Sequence, residues 1–307
     1  MRNENNYNEG VPTMKLTVEQ VKQYREDGFI ILDGVFGDKD LQPVIDAING
    51  FIDERARKLQ AEGKITELHE HEPFERRYAL LYEQSKEIGA KMDIMQWRSK
   101  ALFDFLHNDA LLDVAESLLS SEITCNPIQH LRGKVPEASL RGEFNPYQNV
   151  PWHQDAGVTL EEADDSEIIT FWLPLVDAVR ATGCMELMSN VFREGLLEHQ
   201  AEGGTTIVPA QLPNVEPVLG ECYKGGLIVM NKYTPHRGTP NVSNVVRWTL
   251  DLRYQRTGEP TGRPFHPEFP VRSAKSPESV TRDYDTWCRR WEEALVGSAG
   301  KKLHRVK

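Results

Sequence analysis

Residues 245–255 read VVRWTLDLRYQ. The stretch alternates: Val245, Arg247, Thr249, Asp251 and Arg253 fall on one side, and Val246, Trp248, Leu250, Leu252 and Tyr254 on the other. Successive side chains of a strand point to opposite faces, so this is a strand with one polar and one apolar face. Two readings fit. In the plainer one the polar face meets solvent. In the other the apolar face packs on a helical layer and the polar face looks into a barrel that holds a polar ligand.

Working upstream, shorter runs share the same character: SEITCNPIQHL (121–131), IITFWLPL (168–175), CMELM (184–188), GTTIVPA (204–210) and GGLIVMN (225–231). Gly, Pro and Asn punctuate them, which suits a β-sandwich or barrel. The first third of the chain is different. Thr17 with Gln20 three residues on is a capping-box signal for a helix closing at Gly28. Val44, Ile45, Ile48, Phe51 and Ile52 recur at helical spacing, predicting an amphipathic helix from Leu41 to about Leu59. Further helices are predicted over about 75–88, over DALLDVAESLLS (109–120), and around YDTWCRRWEEAL near the C-terminus. A helical layer on an antiparallel β-core is therefore expected, as one unit.

Composition narrows the function. The formal charge is -11 with no basic tract, which disfavours a nucleic-acid or anionic-membrane partner. No apolar run approaches a membrane span, and the polar start MRNENNYNEGVPTMK lacks the apolar centre of a signal peptide. Residues 1–15 are expected to be a flexible tail. Cys125, Cys184, Cys222 and Cys288 are widely separated, favouring free thiols and a cytoplasmic location over a disulfide framework or a cysteine zinc site.

The segment PWHQDAGVT (151–159) places His153 and Asp155 two residues apart. On a strand they would project side by side, as half of a metal site. A solvated strand edge would look the same. A third candidate ligand, His236, follows the apolar run LIVM, and Arg247 comes eleven residues later. Two histidines and one carboxylate on one face of a metal leave the other positions open, as non-haem Fe(II) oxygenases require. Zinc favours a tetrahedral set, and no fourth ligand is in obvious reach. Arg247 suits a carboxylate, which a guanidinium grips with two parallel hydrogen bonds. The other candidates have plainer readings. HEHEP (69–73) reads as a charged loop, His199 as exposed or gating a pocket mouth, and Trp152 and Trp248 as core. The acidic loop 160–167 either covers a site mouth or is simply solvated.

His153-Gln154-Asp155, His236 and Arg247 together resemble the phytanoyl-CoA dioxygenase family of Fe(II)/2-oxoglutarate oxygenases. The similarity extends to YREDGFIILDGVF (24–36) and to IITFWLPLVDAVRATGCMELMSNVFREGLLEH (168–199), and spans roughly residues 16–255. It implies a double-stranded β-helix (jelly-roll) core packed by N-terminal helices. The helical part would cover about 16–121, the core about 122–256 and a C-terminal extension about 257–307, with 16–307 forming a single domain. It also implies Fe(II), 2-oxoglutarate and O2, with His153, Asp155 and His236 on the metal and Arg247 on the distal carboxylate of 2-oxoglutarate. By the same resemblance Trp172, His130 or Gln129, and Arg98 would add cosubstrate contacts. The family's usual Pro-Gly-Ser-His loop is replaced by MSNVF around Ser189, and its Asn-Gly turn by Thr182-Gly183. These departures fall towards the substrate side and weaken any inference about the substrate. The implied activity is oxidation of a C–H bond of a small organic molecule, most simply hydroxylation, with release of succinate and CO2. Desaturation, cyclisation or epimerisation at the same iron, or a non-catalytic metal-binding sensor, are the alternatives.

Overall fold

The computed structural model describes residues 13–143, 145, 148–202 and 204–306. The tail expected over 1–15 lies mostly outside these. Of its last residues, Met14 N–H donates to Asp113 Oδ2 at 3.0 Å and Lys15 pairs with Glu116 at 2.9 Å.

Twelve strands occur in chain order: β1 Phe29–Leu32, β2 Glu122–Cys125, β3 His130–Lys134, β4 Ile168–Pro174, β5 Met185–Leu187, β6 His199–Ala201, β7 Thr205–Ile207, β8 Val218–Gly220, β9 Leu227–Asn231, β10 His236–Gly238, β11 Arg247–Arg256 and β12 Phe269–Ser273. The helices are α1 Val18–Asp27, α2 Asp38–Ala61, α3 Phe74–Gln84, α4 Lys100–Phe105, α5 Asp109–Leu118, α6 Glu137–Leu140 and α7 Tyr284–Gly297. The larger sheet runs β1-β9-β4-β11-β2-β12, with β3 also on β11; β10-β5-β8 form a smaller sheet, and β6-β7 a hairpin. All pairings are antiparallel. This is the jelly-roll arrangement.

The capping box at Thr17 forms, and α1 stops at Gly28, whose φ of 83° is left-handed and open to glycine at little cost. The region predicted as one helix over 75–88 is two pieces, α3 and a 3-10 turn over Lys86–Gly89. SEITCNPIQHL, expected as one strand, breaks at Asn126-Pro127 into β2 and β3. Proline has no N–H to give the ladder, and the break lets both halves use the same long neighbour. β3 pairs with the first half of β11 and β2 with its end.

β11 organises the molecule. Trp248, Leu250, Leu252 and Tyr254 are fully buried in the core shared with the helices. Each such side chain contributes roughly 1.5–3 kcal/mol by leaving water. The neighbouring strands keep the same parity. Ile169, Phe171 and Leu173 of β4, and Leu227 and Val229 of β9, join that helical-side core, whereas Trp172, Ile228 and Met230 face the smaller sheet. Trp248 stacks on Phe74 of α3 (centroids 5.3 Å, 17° between planes) and meets Tyr78 edge-on at 4.9 Å. Trp248→Ala is expected to cost about 3–5 kcal/mol of unfolding free energy, read from chemical denaturation; a loss below about 1 kcal/mol would mean this face does not anchor the helices.

The opposite face of the larger sheet is divided. Its β9 and β1 half is apolar and packs on β5 through Phe29, Ile228, Met230, Met185 and Leu187. Its β3 and β11 half carries His130, Arg132, Lys134, Arg247, Thr249, Asp251 and Arg253, paired across the register Arg247↔Lys134, Thr249↔Arg132 and Asp251↔His130. The polar face of β11 is thus turned inward. α7 closes the helical side with Trp287 and Trp291. The four cysteines are free. Among the described residues no helix is long and apolar enough to cross a membrane.

Candidate metal centre

His153 and His236 are brought together by backbone pairing. Each donates its N–H to the other's carbonyl at 3.0 Å, in an isolated antiparallel bridge, and their ring centroids lie 4.2 Å apart. The expected strand ends there. Asp155 opens a 3-10 turn over Asp155–Val158 instead of continuing an alternation. Gln154, fully buried, fixes this turn: its amide donates to Gly195 O at 2.8 Å and Tyr233 O at 2.7 Å, and its carbonyl accepts from Leu197 N–H. His199 is a brace here and not a gate, since its Nε2 accepts from the Gln154 N–H at 3.1 Å and its Nδ1 contacts Leu197 O.

The ligand-type atoms of His153, Asp155 and His236 lie within 4.8 Å of one another. Among the described residues no other cluster of three such groups comes together, and the histidines near 69–71 do not form one. His153 Nδ1 lies 2.9 Å from Pro151 O, and His236 Nδ1 3.0 Å from Thr234 O. A carbonyl can only accept, so both Nδ1 atoms carry a hydrogen, and Nε2 is the ring atom left free of these bonds. Burial, reinforced by His236, pushes the His153 pKa down to about 3, which keeps the imidazole neutral at ordinary pH. Burial alone would raise the Asp155 pKa. Arg253, the two histidines and Thr170 outweigh it and hold this carboxyl well below the usual carboxylate range. The donor set is two imidazoles and one carboxylate, which suits a divalent ion such as Fe(II).

Asp155 is itself held. Thr170 Oγ1 donates to one carboxylate oxygen and Arg253 Nη2 to the other. Neither residue stood out as functional in the sequence. The signal for Arg253 was its place on the inward row of β11, and for Thr170 its position two residues before Trp172 on β4.

The same cavity is lined by His130, Arg132, Trp172, Arg237, Arg247 and Asp251. Arg247 is 8% exposed, its guanidinium sits 5.0 Å over the Trp172 ring, and its Nε is buried without a partner. It has no carboxylate partner among the described residues. Thr249 Oγ1 and Asp251 Oδ1 along the same row are also unpartnered. An unpaired buried cation is costly, so Arg247 suits an anionic ligand such as a carboxylate, whereas the free oxygen of Asp251 would take a hydrogen-bond donor. His130 lines the cavity with its Nδ1 on Asp93 Oδ2 at 2.7 Å. Gln129 and Arg98 do not reach it. The Gln129 amide turns back to Asn126 O and Arg253 O, and Arg98 faces Met95 O and Glu292. Trp152 is half-buried under Arg237 at 4.9 Å, not a core residue.

A jelly-roll with a two-histidine, one-carboxylate cluster and a buried arginine in the same cavity defines a class, the mononuclear non-haem iron oxygenases. The family model for phytanoyl-CoA dioxygenase (PhyH) matches residues 24–249, and the chain belongs to that family. It is an oxygenase dependent on Fe(II) and 2-oxoglutarate, with O2 as oxidant. Several solved structures share the fold. The chain is similar to the apo form of the non-haem monooxygenase ThoJ (TM-score 0.56, 16% identity, 92% of this chain and 100% of that one). It is similar to SnoK, an α-ketoglutarate-dependent carbocyclase from nogalamycin biosynthesis (0.53, 18%, 80% and 87%). It is also similar to the epimerase SnoN in complex with Fe3+, α-ketoglutarate and nogalamycin RO (0.55, 18%, 80% and 87%). No curated protein sequence matches the chain significantly.

Proposed function

We propose that His153, Asp155 and His236 hold Fe(II) and that Arg247 receives the distal carboxylate of 2-oxoglutarate, so that the chain oxidises a C–H bond of a small organic metabolite or natural-product intermediate. The observation that carries this reading is the buried Arg247. It forms no ion pair with a carboxylate among the described residues, and it shares one cavity with the three ligand-type side chains. Bound iron supplies activation of O2, coupled to oxidative decarboxylation of the keto acid to succinate and CO2. The chain's own residues do the rest. The Nδ1–H bonds to Pro151 and Thr234 orient the imidazoles, and Thr170 with Arg253 fixes the carboxylate. Trp172 supports the guanidinium from one side, and His130 borders the same cavity. Met185 and Met230 form part of its apolar wall, which keeps water from the reacting centre.

Hydroxylation is the simplest outcome. Ring closure and epimerisation are named for SnoK and SnoN, which share the fold, so a rearranging oxidation is the second reading. The test is succinate formation from 2-oxoglutarate by the Fe(II)-loaded protein, first without substrate and then with panels of small organic molecules. Slow uncoupled succinate release, stimulated by one class of compound, is expected. No succinate under any condition would leave a metal-binding sensor as the better account.

A further inference from the structure

Among the described residues the metal cavity is lined by two acids, Asp155 and Asp251. Asp155 uses both carboxylate oxygens within the protein, on Thr170 and Arg253. Asp251 does not. Its Oδ2 accepts from Arg132 Nε at 3.4 Å, a long contact, and its Oδ1 is buried with no partner. A buried carboxylate oxygen left without a donor carries its full desolvation cost. The strand registers place this oxygen. Asp251 stands opposite His130 of β3 on one side and Trp172 of β4 on the other, and all three line the cavity. Along β11 this rung is one inward step from Arg253, which holds Asp155, and two from Arg247. His130 is fixed by Asp93, with Nδ1 2.7 Å from Oδ2, and its Nε2 has no partner among the described residues.

The charges of the cavity say what kind of donor fits. Arg132 pairs with Asp251, Arg253 with Asp155 and Arg237 with Glu186. Arg247 is the cation left over, and 2-oxoglutarate answers it. An ammonium at Asp251 would add an unmatched positive charge, whereas a hydroxyl donates a hydrogen and leaves the balance as it is. We propose that Asp251 recognises the organic substrate by accepting a hydrogen bond from one of its hydroxyl groups, so that the molecule oxidised is an alcohol held beside the metal centre by that hydroxyl. A second hydroxyl on the neighbouring carbon would meet His130. This deepens the reading above and rests on it, since it takes Arg247 to be occupied by the cosubstrate.

The experiment measures binding without turnover. Cyclohexane-1,2-diol, its dimethyl ether and 1,2-diaminocyclohexane are titrated calorimetrically, without O2, into the protein loaded with Fe(II) and 2-oxoglutarate. The ether keeps both oxygens and lacks the hydrogen that Asp251 would accept. The diol is expected to bind at least about tenfold more tightly than the ether. Asp251→Asn, whose amide can keep its oxygen on Arg132 and turn its NH2 to the cavity, is expected to erase that difference and to leave 2-oxoglutarate affinity unchanged. An ether bound as tightly as the diol, a diol that does not bind, or a variant that keeps the discrimination would each overturn the proposal. Tighter binding of the diamine than of the diol would overturn it in favour of a cationic substrate, and weakened 2-oxoglutarate in the variant would overturn it by assigning Asp251 to the cosubstrate. If Asp251→Asn does not fold, the comparison of diol and ether on the unmodified protein decides. Failure of the underlying reading is seen separately, as no binding of 2-oxoglutarate to the Fe(II)-loaded protein before any alcohol is added.

Discussion

Asp155→Gly is expected to abolish most turnover, lowering the rate of succinate formation by more than about 100-fold, the upper end of what loss of a ligand's supporting partner costs. The argument starts from what the side chain supplies. It is the anionic member of the proposed ligand set, and Arg253 and Thr170 keep it ionised against the cost of its burial. Removing it deletes one ligand and one negative charge. It also leaves the Arg253 guanidinium, already with Nε and Nη1 unpartnered, without the acid it pairs with. Iron and 2-oxoglutarate binding are expected to survive in weakened form, because both histidines and Arg247 remain. The position that opens is one a small anion such as chloride can enter, so the unmodified protein, with Asp155 filling it, should give no chlorinated product at any chloride concentration. Chlorinated product from the unmodified protein would remove Asp155 from the ligand set. Gaining halogenation in the variant is not required, because placing a substrate for halogen transfer is a separate demand.

Arg247→Ala has the second large effect. A charge-assisted contact whose partner charge stays buried costs about 2–5 kcal/mol to remove, which is a rise of about 30-fold or more in the 2-oxoglutarate dissociation constant. Fe(II) binding should hardly change, since among the described residues no hydrogen bond or ion pair joins Arg247 to the three ligand-type side chains. Arg247→Lys should recover only part of the loss, because a lysine cannot offer two parallel hydrogen bonds. Anaerobic titration of the metal-loaded variants measures this. Parent-like affinity in both would make Arg247 a structural residue of the β11 row.

Much of this site was legible because strand geometry makes sequence period report on direction. The alternation of residues 245–255 separated Arg247 and Arg253 from Trp248 and Tyr254, and the structure turns the first set inward and the second onto the helices. What alternation could not say was which face is solvated. That depends on β3, β4 and the smaller sheet enclosing the polar row. The His153-x-Asp155 spacing pointed to two residues that the structure does bring together with His236, but for an incomplete reason. The two side chains converge through a bridge to His236 followed by a 3-10 turn, not through an uninterrupted strand. Gln129 and Arg98 were placed by similarity along the chain, and a shift of one position on a strand reverses the face. Gln129 accordingly points into backbone carbonyls while His130 beside it reaches the cavity.

The central claim is that His153, Asp155 and His236 hold an iron to which 2-oxoglutarate chelates. Its most direct test is the visible absorption of the protein with Fe(II) and 2-oxoglutarate in the absence of O2. A chelated keto acid accepts charge from iron, so the unmodified protein should show a charge-transfer band that His153→Ala and His236→Ala each lose. A band unchanged in both variants would place the iron on other ligands and contradict the account.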